Sequence, residues 1–266
     1  MITGYVQNSP EFGKRAANFE QVRSLTEGLE ADLLVLPELF ATGYAFTSRD
    51  EAAGLAEDAG GPTAAFLRDL AGRIGGAVVA GFPEKSGQRL YNSAMLVDPG
   101  GVLGVYRKIH LFAREKEWFS PGDRPFAVYA LPSAVVGMMV CFDWIFPEAA
   151  RSLAVLGAQV ISHPANLVLP YCQEAMKTRC LENRVFAVTA NRIGNEKRGD
   201  NDLTFTGMSQ VTGCRGEVFF RSDSENCGVQ TLEIDPHDAY DKRVTACNDI
   251  LEDLRPELYI TKTREK

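Results

Sequence analysis

Short apolar runs recur along the whole chain and alternate with stretches in which apolar residues return every three or four positions. TGYVQ reads as a strand, KRAANFEQVRSLTEGLE as an amphipathic helix, and ADLLVLPELF as a strand buried on both faces. A helix in GPTAAFLRDLAGRIG and a strand in GAVVAGFPEK continue the βα alternation. Strands then sit beside strands: RLYNSAMLVDPGGVLGVYRKIHLF predicts two, joined by a turn at Asp98, Pro99, Gly100 and Gly101, and PFAVYALPSAVVGMMVCFD predicts two more. PEAARSLAVLGAQ reads as a helix, VISHPAN as a strand, and EAMKTRCLENRVFAVTANRIG as a helix running into a strand. FTGMSQVTGCRGEVFFRS and GVQTLEIDP look like antiparallel strands. The expected class is α/β, with mixed sheets flanked by helices.

No linker, shift in composition or internal repeat divides the sequence, so a single domain over 1–266 is expected. The polar tail from about 256 to 266 is open to two readings, fraying or packing on a partner subunit. With 45% hydrophobic and 24% charged residues the chain has an ordinary globular composition. Its 28 Lys and Arg against 35 Asp and Glu give a net charge of −7 without a basic run, which disfavours nucleic acid as a partner. The six cysteines are scattered, no CxxC or HExxH occurs, and there are only three histidines, so neither a zinc site nor a disulfide framework is expected. A reducing cytoplasm is the simpler home. MITGYVQNSPEF is not patterned as a secretory leader, and no apolar run approaches the roughly 18 residues of a membrane span.

Four residues stand where chemistry is affordable only for a reason. Cys141 follows the apolar run VVGMMV and precedes a Pro–Glu helix start, which puts a thiol at a strand-to-helix corner near a helix N-terminus. Glu38 ends the run LLVLPE, and Lys108 lies inside the apolar stretch GVLGVYRKIHLF; a charge in either place must turn to solvent, find a partner or shift its pKa. Glu115 lies in the loop LFAREKEWFSPGD. Each residue alone also has an ordinary structural explanation: a core thiol, a loop acid, a lysine that snorkels.

Together their contexts form a pattern. The segments LPELFATGY, YRKIHLFAREKEWFSPGD and GMMVCFDWIFPEAARSLAVLGA resemble, in order and spacing, the three signature blocks of the nitrilase superfamily of carbon–nitrogen hydrolases. The resemblance runs from TGYVQ to NDILEDLRPELY, with HPANLVLP and KTRCLENRVFAVTANRIG also in place. It implies a four-layer αββα sandwich that pairs into homodimers or larger assemblies, with PEAARSLAVLGA supplying part of the contact and no cofactor or metal. Ala149, Leu153, Leu156 and Ala158 in that segment are equally what core packing needs. The resemblance makes Glu38 the general base, Lys108 the cationic stabiliser of a tetrahedral intermediate, Cys141 the nucleophile and Glu115 the second glutamate. The backbone N–H of Phe142 is expected to share the oxyanion with Lys108.

Tyr44, Phe142, Trp144 and Asn166 are the candidate substrate-binding residues, with Tyr171 a further candidate for the pocket wall. Core packing for Trp144 and a turn cap for Asn166 are the competing readings. Arg179, Glu182 and Asn183 are expected to be architectural, with a buried Arg–Glu pair. Phe142 and Asp143 follow the cysteine where true nitrilases usually carry Trp–Glu, which favours an amide or carbamoyl substrate over a nitrile, and a small linear amide is the leading reading. A carbamoyl amine or a nitrile remain the alternatives within the fold, and a non-catalytic scaffold is the alternative outside it. A thiol–histidine pair using His110, His163 or His237 is the rival mechanism; His110, two residues past Lys108, is expected on the same strand face. With a stabilised thiolate, Cys141 would be the most reactive of the six thiols.

Overall fold

A computed structural model describes residues 1–259. In chain order the strands are β1 (Ile2–Gln7), β2 (Leu33–Val35), β3 (Ala77–Ser86), β4 (Arg89–Asp98), β5 (Gly101–Arg107), β6 (Val128–Ala130), β7 (Val135–Met138) and β8 (Val160–Ala165). They continue with β9 (Phe186–Asn191), β10 (Asn195–Arg198), β11 (Asn201–Thr204), β12 (Gln210–Thr212), β13 (Val218–Arg221), β14 (Gly228–Glu233), β15 (Arg243–Thr245) and β16 (Asn248–Asp249). The helices are α1 (Arg15–Leu25), α2 (Arg49–Leu55), α3 (Pro62–Ile74), α4 (Glu115–Trp118), α5 (Pro147–Val155) and α6 (Cys172–Asn183).

Two six-stranded sheets carry the fold, in the orders β14-β1-β2-β3-β4-β5 and β13-β12-β9-β8-β7-β6. In each, three parallel strands form the centre, β1-β2-β3 and β7-β8-β9, and antiparallel strands extend both sides. The two-residue period decides which side chain goes where. Leu33 and Val35 of β2 face the second sheet and pack with Val136, Val160 and Val188, while Leu34 between them faces outward onto Leu67 and Leu70 of α3. Strands covered on both faces read as unbroken apolar runs, which is why LLV and AVVA carry no polar alternation.

Helices α1 and α3 cover the outer face of the first sheet, and α5 with α6 cover that of the second, completing a four-layer αββα sandwich. Helix α3 shows the local logic: Pro62 opens it, Phe66, Leu67, Leu70, Ala71 and Ile74 form one buried stripe, and Gly75 closes it at φ 74°. At the β4–β5 turn, Asp98 Oδ1 accepts from the N–H groups of Gly100 and Gly101 at 2.7 and 3.0 Å.

Several expectations need correction. The first helix spans Arg15–Leu25 only, because Thr26 folds its hydroxyl back onto the Val22 carbonyl at 2.8 Å and the turn ends there. Strand β5 stops at Arg107, so Lys108 stands one residue beyond it and His110 lies in the following loop, not on a shared strand face. Helix α2 and the hairpin β10–β11 are additional; the hairpin sequence NEKR and NDLT offers almost no apolar signal. Of the four apolar positions named in PEAARSLAVLGA, Ala149, Leu153 and Ala158 are taken into the core, whereas Leu156 is 49% exposed, as are the nearby chain positions Val155 and Ile145 at 57% and 42%. The 3₁₀ turn Pro256–Leu258 is exposed, and the tail beyond 259 lies outside the described residues. Among the described residues, no helix is long and apolar enough to cross a membrane.

Candidate active site

The carboxyl ends of the central parallel strands meet at one place. Glu38 follows β2, Cys141 follows β7 and Asn166 follows β8, while Lys108 and Glu115 arrive from the loop after β5. The close approach of β3 depends on Gly81, whose N–H donates to the Pro37 carbonyl at 3.2 Å; a Cβ there would meet the Glu38 backbone at 2.5 Å. Leu39 (φ 50°), Ala113 (φ 45°) and Cys141 (φ 44°) all adopt the left-handed region that side chains resist.

Lys108 is completely buried, and its Nζ donates to Glu38 Oε1 at 2.7 Å and to Glu115 Oε1 at 2.8 Å. Tyr44 donates its hydroxyl to the same Glu115 oxygen at 2.6 Å, and the Phe112 N–H donates to Glu115 Oε2 at 3.2 Å. Asn92 Nδ2 donates to Glu38 Oε1 at 2.7 Å, and among the described residues Glu38 Oε2 is buried without a partner. An ammonium removed from water at this depth persists only with such partners. Burial works against its charge, but Glu115, Glu38 and Cys141 outweigh burial and hold Lys108 above the ordinary lysine value. Burial pushes Glu38 up to about 7, with Lys108 pulling downward and Glu115 adding repulsion.

Cys141 opens the 3₁₀ turn Cys141–Ile145 between β7 and α5. Asp143 fixes this corner, accepting from the Val140 N–H at 2.8 Å and the Tyr106 hydroxyl at 2.7 Å, with His110 Nδ1 at 2.7 Å. Burial raises the Cys141 pKa and Glu38 adds to it; Lys108 and the Asn166 backbone N–H pull the other way, and the thiol stays well above its ordinary value. Burial therefore works against a thiolate at this position, while Lys108 and the Asn166 backbone N–H work for one.

The His163 ring is held away from the sulfur. His163 Nε2 lies 2.9 Å from the Cys141 carbonyl oxygen and Nδ1 3.1 Å from Thr189 Oγ1, so both ring nitrogens are occupied away from the sulfur. Burial lowers His163 to about 4, so it is neutral at pH 7.

Beside Cys141 opens a cleft of about 230 Å³, counting its mouth, walled by Phe112, Phe142, Trp144, Asn166 and Leu167. Asn166 is 3% exposed, and among the described residues neither its side-chain oxygen nor its nitrogen has a protein partner, so it is not a turn cap. Trp144 serves both readings at once, packing in the inter-sheet core and lining the cleft. Tyr171 stands 62% exposed and takes no part in this wall, because it caps the start of α6 on the outer surface.

The carbon–nitrogen hydrolase family model matches residues 3–244. The chain belongs to the carbon–nitrogen hydrolase family. This hydrolase is 46% identical over 259 residues to a nitrilase from Pyrococcus abyssi, covering 96% of this chain and 97% of that one. It is 38% identical over 210 residues to an (R)-stereoselective amidase from Pseudomonas sp., covering 77% and 74% respectively. Its fold matches a mutant of the amidase from Nesterenkonia sp. AN1 with TM-score 0.78 and 26% identity, covering 97% and 98% of the two chains. That structure shows the result of Michael addition of acrylamide at its active site cysteine.

Two supports of the hydrolase lie around this site, one that the sequence did not single out, Glu196, and one that it did, the Arg179–Glu182 pair. Glu196, on the β10–β11 hairpin, accepts from the backbone N–H groups of Tyr44 and Ala45 at 3.0 and 2.6 Å and is paired with the buried Arg192. The hairpin thereby holds the loop whose Tyr44 hydroxyl meets Glu115. Arg179 pairs with Glu182 at 2.7 Å and donates from Nε to the Trp144 carbonyl at 3.1 Å, tying α6 to the cysteine turn of the hydrolase. That pair is only partly buried, with Glu182 33% exposed.

Proposed function

We propose that this protein is a thiol amidohydrolase that cleaves the C–N bond of a small linear amide through a thioester on Cys141. The observation that carries this reading is the fully buried Lys108, held between Glu38 and Glu115 in electrostatic contact with Cys141. An amide carbon is a poor electrophile, so attack needs a thiolate, a base to form it and donors where the oxyanion develops. Glu38 accepts the Cys141 proton as sulfur adds to the carbonyl carbon. The Lys108 ammonium and the Phe142 backbone N–H hold the oxyanion. The proton passes from Glu38 to the nitrogen, the C–N bond breaks and ammonia leaves. Glu38 then takes a proton from water, whose oxygen attacks the thioester; the C–S bond breaks, the acid departs and the proton returns to the sulfur. Glu115 orients Lys108 throughout.

A second reading, nitrile hydrolysis, is favoured by the name of the Pyrococcus abyssi relative. The same thiolate would add to a nitrile carbon, and two water additions would release ammonia and the acid. Phe142 and Asp143 after the cysteine weigh toward the amide. The test is ammonia release from short aliphatic amides, ω-amides of dicarboxylates, N-carbamoyl amines and nitriles, with Cys141→Ala in parallel and mass spectrometry of the intact protein for the acyl adduct. Amide turnover with a Cys141 adduct supports the proposal. Turnover that survives Cys141→Ala, or silence without an adduct, overturns it, and silence brings the scaffold reading forward.

A further inference from the structure

The two carboxylate oxygens of Glu38 have unequal surroundings. Oε1 accepts from Lys108 Nζ and from Asn92 Nδ2, each at 2.7 Å, whereas among the described residues Oε2 is buried without a partner. Strand β4 supplies the second donor. Asn92 shares the parity of Ala94 and Leu96, which face the core between the sheets, while Met95 and Val97 face outward. It is completely buried, and its backbone carbonyl accepts the Lys108 N–H at 2.8 Å, so one residue holds the base through its side chain and the lysine through its main chain. The carboxamide presents its N–H side to Glu38, the orientation that an ionised carboxyl requires, and it has no place in the wall of the cleft beside Cys141. A buried carboxylate oxygen left unpartnered costs free energy until a proton or a reactant's donor meets it.

We propose that Asn92 is a positioning residue of the reaction: by filling Glu38 Oε1 together with Lys108, it holds the carboxyl in one orientation and reserves Oε2 as the oxygen that takes the proton. This rests on the amidohydrolase reading above and deepens it. The S–H bond of Cys141 breaks as an O–H bond forms on Oε2, and sulfur keeps the electron pair that adds to the carbonyl carbon; Oε1 keeps its two donors throughout. The titratable groups that face Glu38 are Lys108 and Glu115 from the loop after β5, Cys141 from the turn after β7 and Tyr44 from the loop after β2. Asn92 adds a donor without adding a charge, so it favours the ionised carboxyl, and its removal moves the base upward.

The experiment compares wild type with Asn92→Leu, which keeps the volume and removes the donor, and with Asn92→Ala. The Glu38 carboxyl is titrated by NMR in protein carrying carbon-13 glutamate, its resonance assigned through Glu38→Gln, and KM and kcat/KM for ammonia release from propionamide are followed from pH 5 to pH 10. In either variant the Glu38 midpoint is expected to rise by about 1 to 2 pH units. At pH 6 kcat/KM should then fall ~10- to 100-fold, with most of that loss recovered by pH 10 and KM changed less than about twofold. In wild type, the Asn92 side-chain amide resonance should titrate with the midpoint of the Glu38 carboxyl; an amide indifferent to that titration overturns the proposal even where neither variant folds. An unmoved carboxyl midpoint with turnover lowered equally at every pH is what packing alone would give; it overturns the proposal and leaves the amidohydrolase standing. A midpoint that moves in a protein that releases no ammonia and forms no Cys141 adduct keeps Asn92 as the donor that sets Glu38 and overturns the amidohydrolase reading.

Discussion

Replacing Glu38 by Gln isolates the cost of charging a carboxyl that the fold has buried completely. Burial holds Glu38 at about 7 against an ordinary value of 4.5, so between those limits the folded protein keeps a proton that the unfolded chain has lost. Stability contributed by this group therefore falls as pH rises through that window, by about 3 kcal/mol once pH exceeds 7. His163 runs in the opposite sense. Its pKa is lowered from 6.5 to about 4, so the unfolded chain binds the extra proton there and stability rises across that interval. The two effects largely cancel in the wild-type protein, and the difference between Glu38→Gln and wild type reads Glu38 alone. Gln keeps the shape and can still accept from Lys108 and Asn92. Urea unfolding of both proteins at matched concentration from pH 4.5 to pH 8 is the assay. The stability difference should shift by about 3 kcal/mol in favour of the variant over that range, while its turnover falls ~100 to 10,000-fold. A difference that stays constant with pH would refute the claim that Glu38 is protonated at rest.

The same group sets the pH dependence of turnover: as a base it must be ionised, so kcat/KM should rise with pH through an apparent midpoint near 7, a limb lost in Glu38→Gln. A profile flat from pH 5 to pH 9 would count against Glu38 as the base. Glu196→Gln removes the counter-charge of the buried Arg192 and loosens the Tyr44 loop; a stability loss of about 3 kcal/mol and a displaced pH midpoint are expected, whereas an unmoved midpoint would reduce Glu196 to packing. Brief alkylation with iodoacetate at pH 7, mapped by peptide mass, should label exposed Cys227 and Cys247 before Cys141, and the reverse order would show a resting thiolate. Light scattering at micromolar concentration should give a dimer or larger assembly, with Ile145, Val155 and Leu156 covered, and a monomer would overturn that pairing.

The layers were legible because each strand that is covered on both faces reads as an apolar run and α3 carries its own caps and stripe. Glu38, Lys108 and Cys141 each break the local pattern, as a charge after a run of leucines, a lysine against a strand and a thiol before a Pro–Glu helix start; Glu115 reads alone as a loop acid, and the four stand out together through the resemblance of their segments to the nitrilase superfamily blocks. Their supports were not. Asn92 reaches Glu38 across 54 positions of chain and Glu196 reaches Ala45 across 151, so a single polar residue in its own segment gives no sign of the partner it serves. Asp143 was legible only as the neighbour of Phe142, although its bonds to Tyr106, Val140 and His110 hold the corner in shape. The hairpin bearing Glu196 has too little apolar content to register as strands. Tyr44 was expected at the mouth, and its ring does line the hollow; its hydroxyl, turned onto Glu115, answers to a residue whose position depends on the strand ends.

The division of labour between the sheets explains why the strain is placed where it is. Glu38, Lys108 and Glu115 extend from the first sheet, Cys141 and Asn166 from the second, so the distance between acid and thiol is set by the core that separates the sheets. A close-packed interior of Tyr5, Leu33, Val35, Val136, Val160 and Val188 fixes that spacing more rigidly than a loop could. What remains is to turn each chain sharply at its strand end, and three left-handed residues, Leu39, Ala113 and Cys141, do so beside the acid, its lysine partner's second carboxylate and the thiol. Each turn costs on the order of 1–3 kcal/mol, and it persists because the packing on either side leaves the backbone no other course. Burial then shifts the charges: it lifts Glu38 into the neutral range and pushes the Cys141 thiol up, so both shifts follow from the depth at which the two sheets bring these groups together.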